Sequence, residues 1–299
     1  MMLDLIMIVG PTATGKSKLA IELAKNFNGE VINGDAFQFY KGLDIGTAKI
    51  KDNELEGVTH HLLSFLEPSD RFNVATYQEL VREKINLVKA KKKTPIIVGG
   101  SGLYLNSIYY DYQFFGDERN DDLVSNYDSF NNDELFELLR EKNQHLAEIT
   151  DRFNRRRLIR ALEKTDDAIQ TKLNEYYNNS VVIALNMPRE ELYKRINSRV
   201  DKMINDGLVQ EVRKLFDKQI YSQAIQAIGY KELYRYFNQE INLLAATELI
   251  KKNSRNYAKR QLTWFKNKIN CHWIIVDNLD FKKTVEEATL IIKKEVSFT

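Results

Sequence analysis

An apolar run from Leu3 to Val9 gives way, after a glycine-bearing turn, to Leu19, Ala20, Leu23, Ala24 and Phe27 at helical spacing. The change from strand-like to helix-like period then recurs. Glu30 to Asp35 (EVINGD) predicts a second short strand with a polar end. Residues 36–49 (AFQFYKGLDIGTAK) hold neither period and predict a loop, where binding residues concentrate. Val74 to Lys91 predicts a helix with Tyr77, Val81, Ile85 and Val88 on one face, and Thr94 to Val98 (TPIIV) a buried strand. Gly99-Gly100-Ser101-Gly102 then opens another helix. Strands this apolar, alternating with helices, predict an α/β fold with a parallel sheet covered on both faces.

Residues 112–180 have another character. Asp117 to Asp122 and Asn131 to Glu134 are polar and acidic, and Leu135, Leu138, Leu139, Phe153, Leu158 and Leu162 suggest helices. The sheet pattern resumes only at Val181 to Leu185 (VVIAL). Helices are expected over 189–217, 222–236 and 242–268, a last strand over Trp273 to Val276 and a closing helix over 281–296. The expected organisation is a core of 1–111 and 181–299 interrupted by a helical insertion, 112–180.

Composition narrows the class. Hydrophobic content of 43% and charged content of 29% over 299 residues suit a globular protein, and a net charge of +2 leaves polyanion affinity to local clusters. Leu3 to Val9 is too short, and broken by Asp4, to read as a signal peptide; no run approaches a membrane span. The single cysteine, Cys271, excludes an internal disulfide and a multi-cysteine zinc site. A cytoplasmic protein is expected. His60 and His61 are adjacent, point oppositely in an extended segment, and are not expected to hold a metal.

Gly10-Pro11-Thr12-Ala13-Thr14-Gly15-Lys16-Ser17 fits G-x-x-x-x-G-K-[ST] between an expected strand and helix, the context of a phosphate-binding loop. Backbone N–H groups of Gly10, Thr12, Ala13, Thr14, Gly15, Lys16 and Ser17 would face phosphate oxygens at a helix N-terminus, with Lys16 on the terminal phosphate and Ser17 on Mg²⁺. A diphosphate or triphosphate is implied, not what is done with it. A kinase or nucleotide hydrolase usually adds an apolar strand ending in Asp. Here TPIIV ends in Gly-Gly, while VINGD (31–35) and WIIVD (273–277) do end in Asp. Asp35 is thus a magnesium-shell ligand, a catalytic base or a turn cap, and spacing does not choose.

Two segments are locally basic: Arg152, Arg155, Arg156, Arg157, Arg160 and Lys164, and Lys251, Lys252, Arg255, Lys259, Arg260, Lys266 and Lys268. Tyr257, Trp264 and Phe265 interleave with the second set. Either solvated helix faces or a nucleic-acid footprint gives this pattern.

GPTATGKS, GDAFQFYKGLDIGTAK (34–49), VGGSGLYL (98–105) and KRQLTWFK (259–266) together resemble the tRNA dimethylallyltransferase (tRNA isopentenyltransferase) family, from residue 3 to about 277. The resemblance implies a P-loop, nucleotide-kinase-like core that binds dimethylallyl diphosphate where a kinase binds ATP. It implies transfer of the five-carbon group to the exocyclic amine of the adenosine 3′ to a tRNA anticodon, with Mg²⁺ as cofactor. By the same resemblance Asp35 is the general base, Arg199 contacts the diphosphate, and Ser101, where the family usually has threonine, keeps a hydroxyl near Asp35. A helix N-cap for Ser101 and a solvated helix arginine for Arg199 remain the alternatives. The DSxQ-like tRNA-contacting block reads Asp35-Ala36-Phe37-Gln38, with Ala36 for the usual serine. Further expected tRNA contacts are Arg156, Arg157 and Arg160 in the insertion, Gly229 and Tyr230 in QAIGYK, and Lys259 and Arg260. Tyr230 either stacks on a base or lies in the core; Tyr40 and Phe37 are further candidate stacking surfaces. A monomer acting on the anticodon stem-loop is expected. The rivals are a prenyltransferase of free adenine nucleotides, an ATP- or GTP-dependent kinase, and a non-catalytic nucleic-acid-binding module.

Overall fold

The computed structural model describes residues 3–112, 127, 129–163 and 174–298. Lys164 and the acidic run Asp117 to Asp122 lie outside the described residues. The chain divides into two compact units, Met1–Asp111 with Glu175–Thr299, and Tyr112–Asn174. The expected insertion ended later, at residue 180. Tyr176 N donates to Tyr109 O (2.9 Å) and Asp4 N to Asn179 O (2.8 Å), which ties residues 175–180 to the first unit.

That unit is built on a six-stranded sheet, order β3-β2-β4-β1-β5-β6, with every pairing parallel. The strands are β1 (Leu5–Val9), β2 (Gly29–Asn33), β3 (His60–His61), β4 (Thr94–Val98), β5 (Ser180–Asn186) and β6 (His272–Ile275). Side chains alternate across it as strand geometry requires. Ile6, Ile8, Val181, Ile183 and Leu185 enter one core layer, and Leu5, Met7, Val9, Val182 and Ala184 the opposite layer. The first layer is completed from α1 (Lys16–Asn26) by Leu19 and Leu23, and the second from α2 (Val74–Ala90) by Tyr77, Val81 and Ile85. The helix α3 (Gly102–Tyr109) packs with α2 on that second face.

The expected strand EVINGD stops at Asn33 because its side chain folds back into the following turn. Asn33 Oδ1 accepts from Asp35 N (3.0 Å), and Nδ2 donates to Asp35 O and Leu62 O (both 3.1 Å). Asp35 therefore sits on a loop at the strand's C-terminal end. At the other end of the sheet Asn179 N donates to Asp4 Oδ2 (3.3 Å), and Lys89 pairs with Asp4.

The region expected as one helix over 189–217 is two. Gly207, at φ +105°, breaks it into Arg189–Asn205 and Leu208–Asp217. Over 222–236 a 3₁₀ turn (Gln223–Gln226) precedes a shorter helix, Tyr230–Phe237. With Leu243–Lys268, these segments enclose a third core around Val212, Ala224, Tyr230, Leu233 and Ile250. The last helix is Phe281–Phe298.

The second unit holds α4 (Asn132–Lys142), α5 (Gln144–Ile149) and α6 (Arg155–Leu162) around Leu135, Leu139, Leu158 and Leu162. Continuing the chain order, Arg189–Asn205 is α7, Leu208–Asp217 α8, Tyr230–Phe237 α9, Leu243–Lys268 α10 and Phe281–Phe298 α11.

His61 is not idle: its Nε2 lies 2.7 Å from Glu30 Oε2, and Lys93 and Lys91 bond the same carboxylate at 2.8 and 3.1 Å. Burial pushes the Glu30 carboxyl up, but the bonds from Lys93, His61 and Lys91 outweigh it and hold the pKa at about 2. A depressed carboxylate contributes stability above its unfolded value and loses it as pH falls through the folded one. Glu30→Gln should cost on the order of 1–3 kcal/mol at neutral pH. It should also flatten the loss of stability between about pH 4.5 and about pH 2. Urea unfolding at several pH values checks both; a pH slope unchanged by the substitution would contradict the assignment.

Candidate active site

Three loops meet at the C-terminal rim of the sheet, where parallel α/β folds place their ligands. The first joins β1 to α1. Gly10 takes φ +129° with its Cα against β5, where a Cβ would come within 2.5 Å of Leu185 O. Ala13 also takes a left-handed conformation, φ +66°, and Gly15 (φ +90°) precedes the first turn of α1. Thr14 is fully buried and its Oγ1 donates to Pro11 O (2.9 Å); Lys16 Nζ donates to the same carbonyl (2.7 Å). Ser17 is exposed at the helix N-terminus.

Two long-range bonds fix Thr12. Arg199 Nη1, from α7, donates to Thr12 Oγ1 (3.1 Å), and Thr12 N donates to Gln261 Oε1 of α10 (3.0 Å). Gln261 Nε2 donates to Gly100 O (2.9 Å), so one buried amide ties the phosphate loop to the loop after β4. Arg199 is thus no solvated helix arginine.

Asp35 supplies the anion of the site. Its Oδ1 accepts from Phe37 N (3.0 Å). Burial pushes its carboxyl above the ordinary value, against the pull of the Phe37 N–H, Lys16, Arg199 and the Gln38 N–H. Burial and the nearby Arg199 lower Lys16 to about 7, which Asp35 partly opposes. A half-buried carboxylate and two cations therefore share one electrostatic neighbourhood. Ser101 precedes α3, yet its side chain does not cap that helix. Its Oγ accepts from Ala36 N (3.0 Å), fixing the residue next to Asp35. Ser101 does hold the N-cap position of α3, but its hydroxyl serves the Ala36 N–H and not the helix.

Among the described residues no group of three His, Cys, Asp or Glu side chains could hold a metal ion. The donor set still suits magnesium bound through phosphate, which keeps several waters and takes only one or two protein oxygens. The exposed Ser17 hydroxyl at the head of α1 is such an oxygen. Asp277, the other strand-end aspartate, instead accepts from Leu279 N and Asp280 N (both 2.8 Å) and caps a turn.

Several expected RNA contacts lie elsewhere than expected. Tyr230 is fully buried and Tyr40 nearly so, in the third core, which removes both as stacking surfaces. Gly229 is buried and its N–H donates to Glu232 Oε2 (2.7 Å), so it is the start of α9 and no RNA contact. Phe265 is fully buried and Trp264 lies against Gly102, so the aromatics of α10 pack inward. Tyr257 also turns inward, and burial, then Asp35, push its phenol up to about 12. Phe37 is half-buried and Gln38 Nε2 donates to Thr47 O (3.2 Å), closing the loop on itself.

The basic clusters thin out in the same way. Arg152 pairs with Asp133 (2.7 Å), and Arg155 donates to the carbonyls of Tyr127 and Phe130. Lys251 pairs with Asp201 (2.7 Å) and Arg255 donates to Asn197 Oδ1 (2.6 Å). Arg156, Arg157 and Arg160 stay exposed on α6, and Lys259 and Arg260 on α10.

Gln261 was not singled out from sequence, although a signal existed. Ala246, Ile250, Ala258, Gln261 and Phe265 form the buried face of α10, and Gln261 is the polar residue in that series.

A family model described as IPP transferase matches residues 38–268. The chain belongs to that family. It is similar to the tRNA dimethylallyltransferase of Anoxybacillus flavithermus, at 46% identity over 302 residues covering 98% of this chain and 97% of that one. It is also similar to the tRNA dimethylallyltransferase of Bacillus subtilis, 47% identical over 281 residues (90% and 89% of the two chains). Among solved structures it resembles the full-length tRNA isopentenylpyrophosphate transferase of Bacillus halodurans, with TM-score 0.78, 42% identity and 98% and 96% coverage. It resembles a eukaryotic dimethylallyltransferase acting on tRNA with TM-score 0.82 and 26% identity, over 96% of this chain and 77% of that one. As a member of the IPP transferase family the protein is a prenyltransferase on a P-loop-type parallel sheet. No helix among the described residues is long and apolar enough to cross a membrane.

Proposed function

We infer that the protein transfers a dimethylallyl group from dimethylallyl diphosphate to the N6 amine of the adenosine 3′ to a tRNA anticodon, releasing diphosphate. The observation that carries this reading is the cluster at the sheet rim: Arg199 on Thr12 and Lys16 on Pro11 O in the phosphate loop, with the half-buried Asp35 carboxylate, held by Phe37 N, in the same electrostatic neighbourhood. The diphosphate lies in the loop 10–17, held by backbone N–H groups and the first turn of α1. Lys16 and Arg199 neutralise the charge that grows on it as the allylic carbon–oxygen bond breaks, an electrostatic task suited to donors fixed in advance. Magnesium, with Ser17 Oγ as a protein oxygen, adds to that neutralisation when bound.

The adenine amine is a weak nucleophile because its lone pair is conjugated into the ring. Asp35 accepts a proton from it as the new carbon–nitrogen bond forms, and a carboxylate raised by burial is a better base than an exposed one. Ser101 holds the Ala36 side of Asp35, and Gln261 holds the phosphate loop. A base stacked in the anticodon loop cannot reach this depth, so the adenine is extruded.

Arg156, Arg157, Arg160, Lys259 and Arg260 are the exposed cations that meet the RNA backbone. The insertion is the RNA-binding part of the chain, and a tRNA substrate places the enzyme in the cytoplasm.

The deciding assay incubates radiolabelled dimethylallyl diphosphate with unmodified tRNA, with ATP as a competing donor. Label should move to tRNA and ATP should not be consumed; brisk ATP turnover without transfer would refute the reading. Replacing both Arg157 and Arg160 by Ala should weaken tRNA binding about tenfold or more at moderate salt and reduce the salt slope by about 1.5. Filter binding across a salt series reads this, and an unchanged slope removes the pair from the interface.

A further inference from the structure

The segment 44–46 lies between the expected RNA-reading residues and the third core, and a single side chain organises it. Glu211, on α8, accepts from three successive backbone amides: Asp44 N (3.0 Å) and Ile45 N (2.8 Å) on Oε2, and Gly46 N (3.0 Å) on Oε1. Tyr230 Oη, on α9, donates to Oε1 at 2.5 Å. A carboxylate meeting consecutive N–H groups and a phenol is an anion in a preformed nest, and bonds to a charged acceptor are the stronger kind. Gly46 lies so close to the Tyr230 ring that a Cβ there would come within 2.4 Å of it. Loop and helices therefore meet only with glycine at 46.

The rest of the loop is tied to this point. Gln38 Nε2 donates to Thr47 O (3.2 Å), and Lys49 Nζ bonds Tyr40 O, Asp44 Oδ1 and Ser64 Oγ, each at 2.7 Å. Lys49 N also donates to Asp44 O (2.9 Å). Holding residues 44–46 thus holds Thr47, and through it the Gln38 side chain, three positions along from Asp35.

We propose that Glu211, supported by Tyr230, is a positioning residue for RNA: it clamps the 36–49 loop so that Gln38 and the backbone beside Asp35 meet the target nucleotide in fixed geometry. It touches neither substrate nor Asp35, and acts through the loop. The proposal rests on the reading above in one respect, that the 36–49 loop meets tRNA. Tyr230 is then a buried part of RNA recognition, which its place in the core would otherwise hide.

The test uses the full chain with Glu211→Gln and Tyr230→Phe. Glu211→Gln keeps the shape but loses the charge, and its NH₂ group has no acceptor among three amides. The KM for tRNA should rise about tenfold while kcat and the KM for dimethylallyl diphosphate change by less than about threefold. Tyr230→Phe removes one of four bonds and should shift the KM for tRNA the same way by about threefold. A purely structural role would instead lower kcat and the thermal midpoint together at unchanged KM for tRNA, and that outcome overturns the proposal.

A second readout does not depend on the reaction. In hydrogen exchange of the free protein, Glu211→Gln should accelerate the amides of Asp44, Ile45 and Gly46 about tenfold or more relative to those of β1. Unchanged exchange there overturns the clamp. Faster exchange in a protein whose wild type transfers nothing to tRNA supports the clamp and refutes the functional reading instead.

Discussion

Asp35→Ala should lower kcat for transfer to tRNA by about a hundredfold or more, because a general base acts in the transition state. Affinity for both substrates should change little. The half-buried side chain shares the electrostatic neighbourhood of Lys16 and Arg199, so its removal takes a negative charge away from the diphosphate site. That change favours the incoming anion directly, yet it also removes the influence that raises the Lys16 pKa, and the two effects oppose. The Phe37 N–H loses its acceptor, a local cost on the order of 1 kcal/mol. Single-turnover rates at saturating substrates, with equilibrium binding of tRNA and of diphosphate, separate these terms. Turnover within about tenfold of wild type would remove Asp35 as the base.

Lys16→Ala is expected to lower kcat/KM for dimethylallyl diphosphate by about 10²–10³-fold, the scale for removing one fixed donor to developing charge. Burial and Arg199 lower Lys16 to about 7 in the free protein, which leaves it only partly protonated near neutral pH. An arriving diphosphate supplies counter-charge that favours the protonated form of Lys16. Lys16→Arg should not rescue, because a planar guanidinium does not reproduce the compact point charge that the ammonium presents beside Pro11 O. A loss no larger than about tenfold would leave the leaving-group role with Arg199 and the backbone N–H groups.

Nothing in the two polar residues of the edge strand β3, His60–His61, signals a strand, and it was not legible. The other five strands were legible because their runs are largely apolar and bounded by turn residues. The phosphate loop was legible for the same reason, as a motif in its required setting. What sequence concealed was where charged and polar side chains spend their bonds. Arg152, Arg155, Lys251 and Arg255 look like the cations around them, but their partners come from distant segments. Glu211 looks like any surface glutamate of an amphipathic helix, since its acceptors' partners lie at 44–46. Tyr230 could be placed in the core or at the RNA with equal right until its phenol was seen to bond that carboxylate. Asp35 was found through family likeness; from spacing alone three roles stood level, and burial beside two cations is what favours one of them.

Because all six strands point the same way, every reacting group sits on one rim, and the far rim is left to plain fastenings such as Asp4 with Lys89 and Asn179. Variation at that distant edge can lengthen or shorten the working life of the enzyme while its speed and its choice of RNA stay as they are.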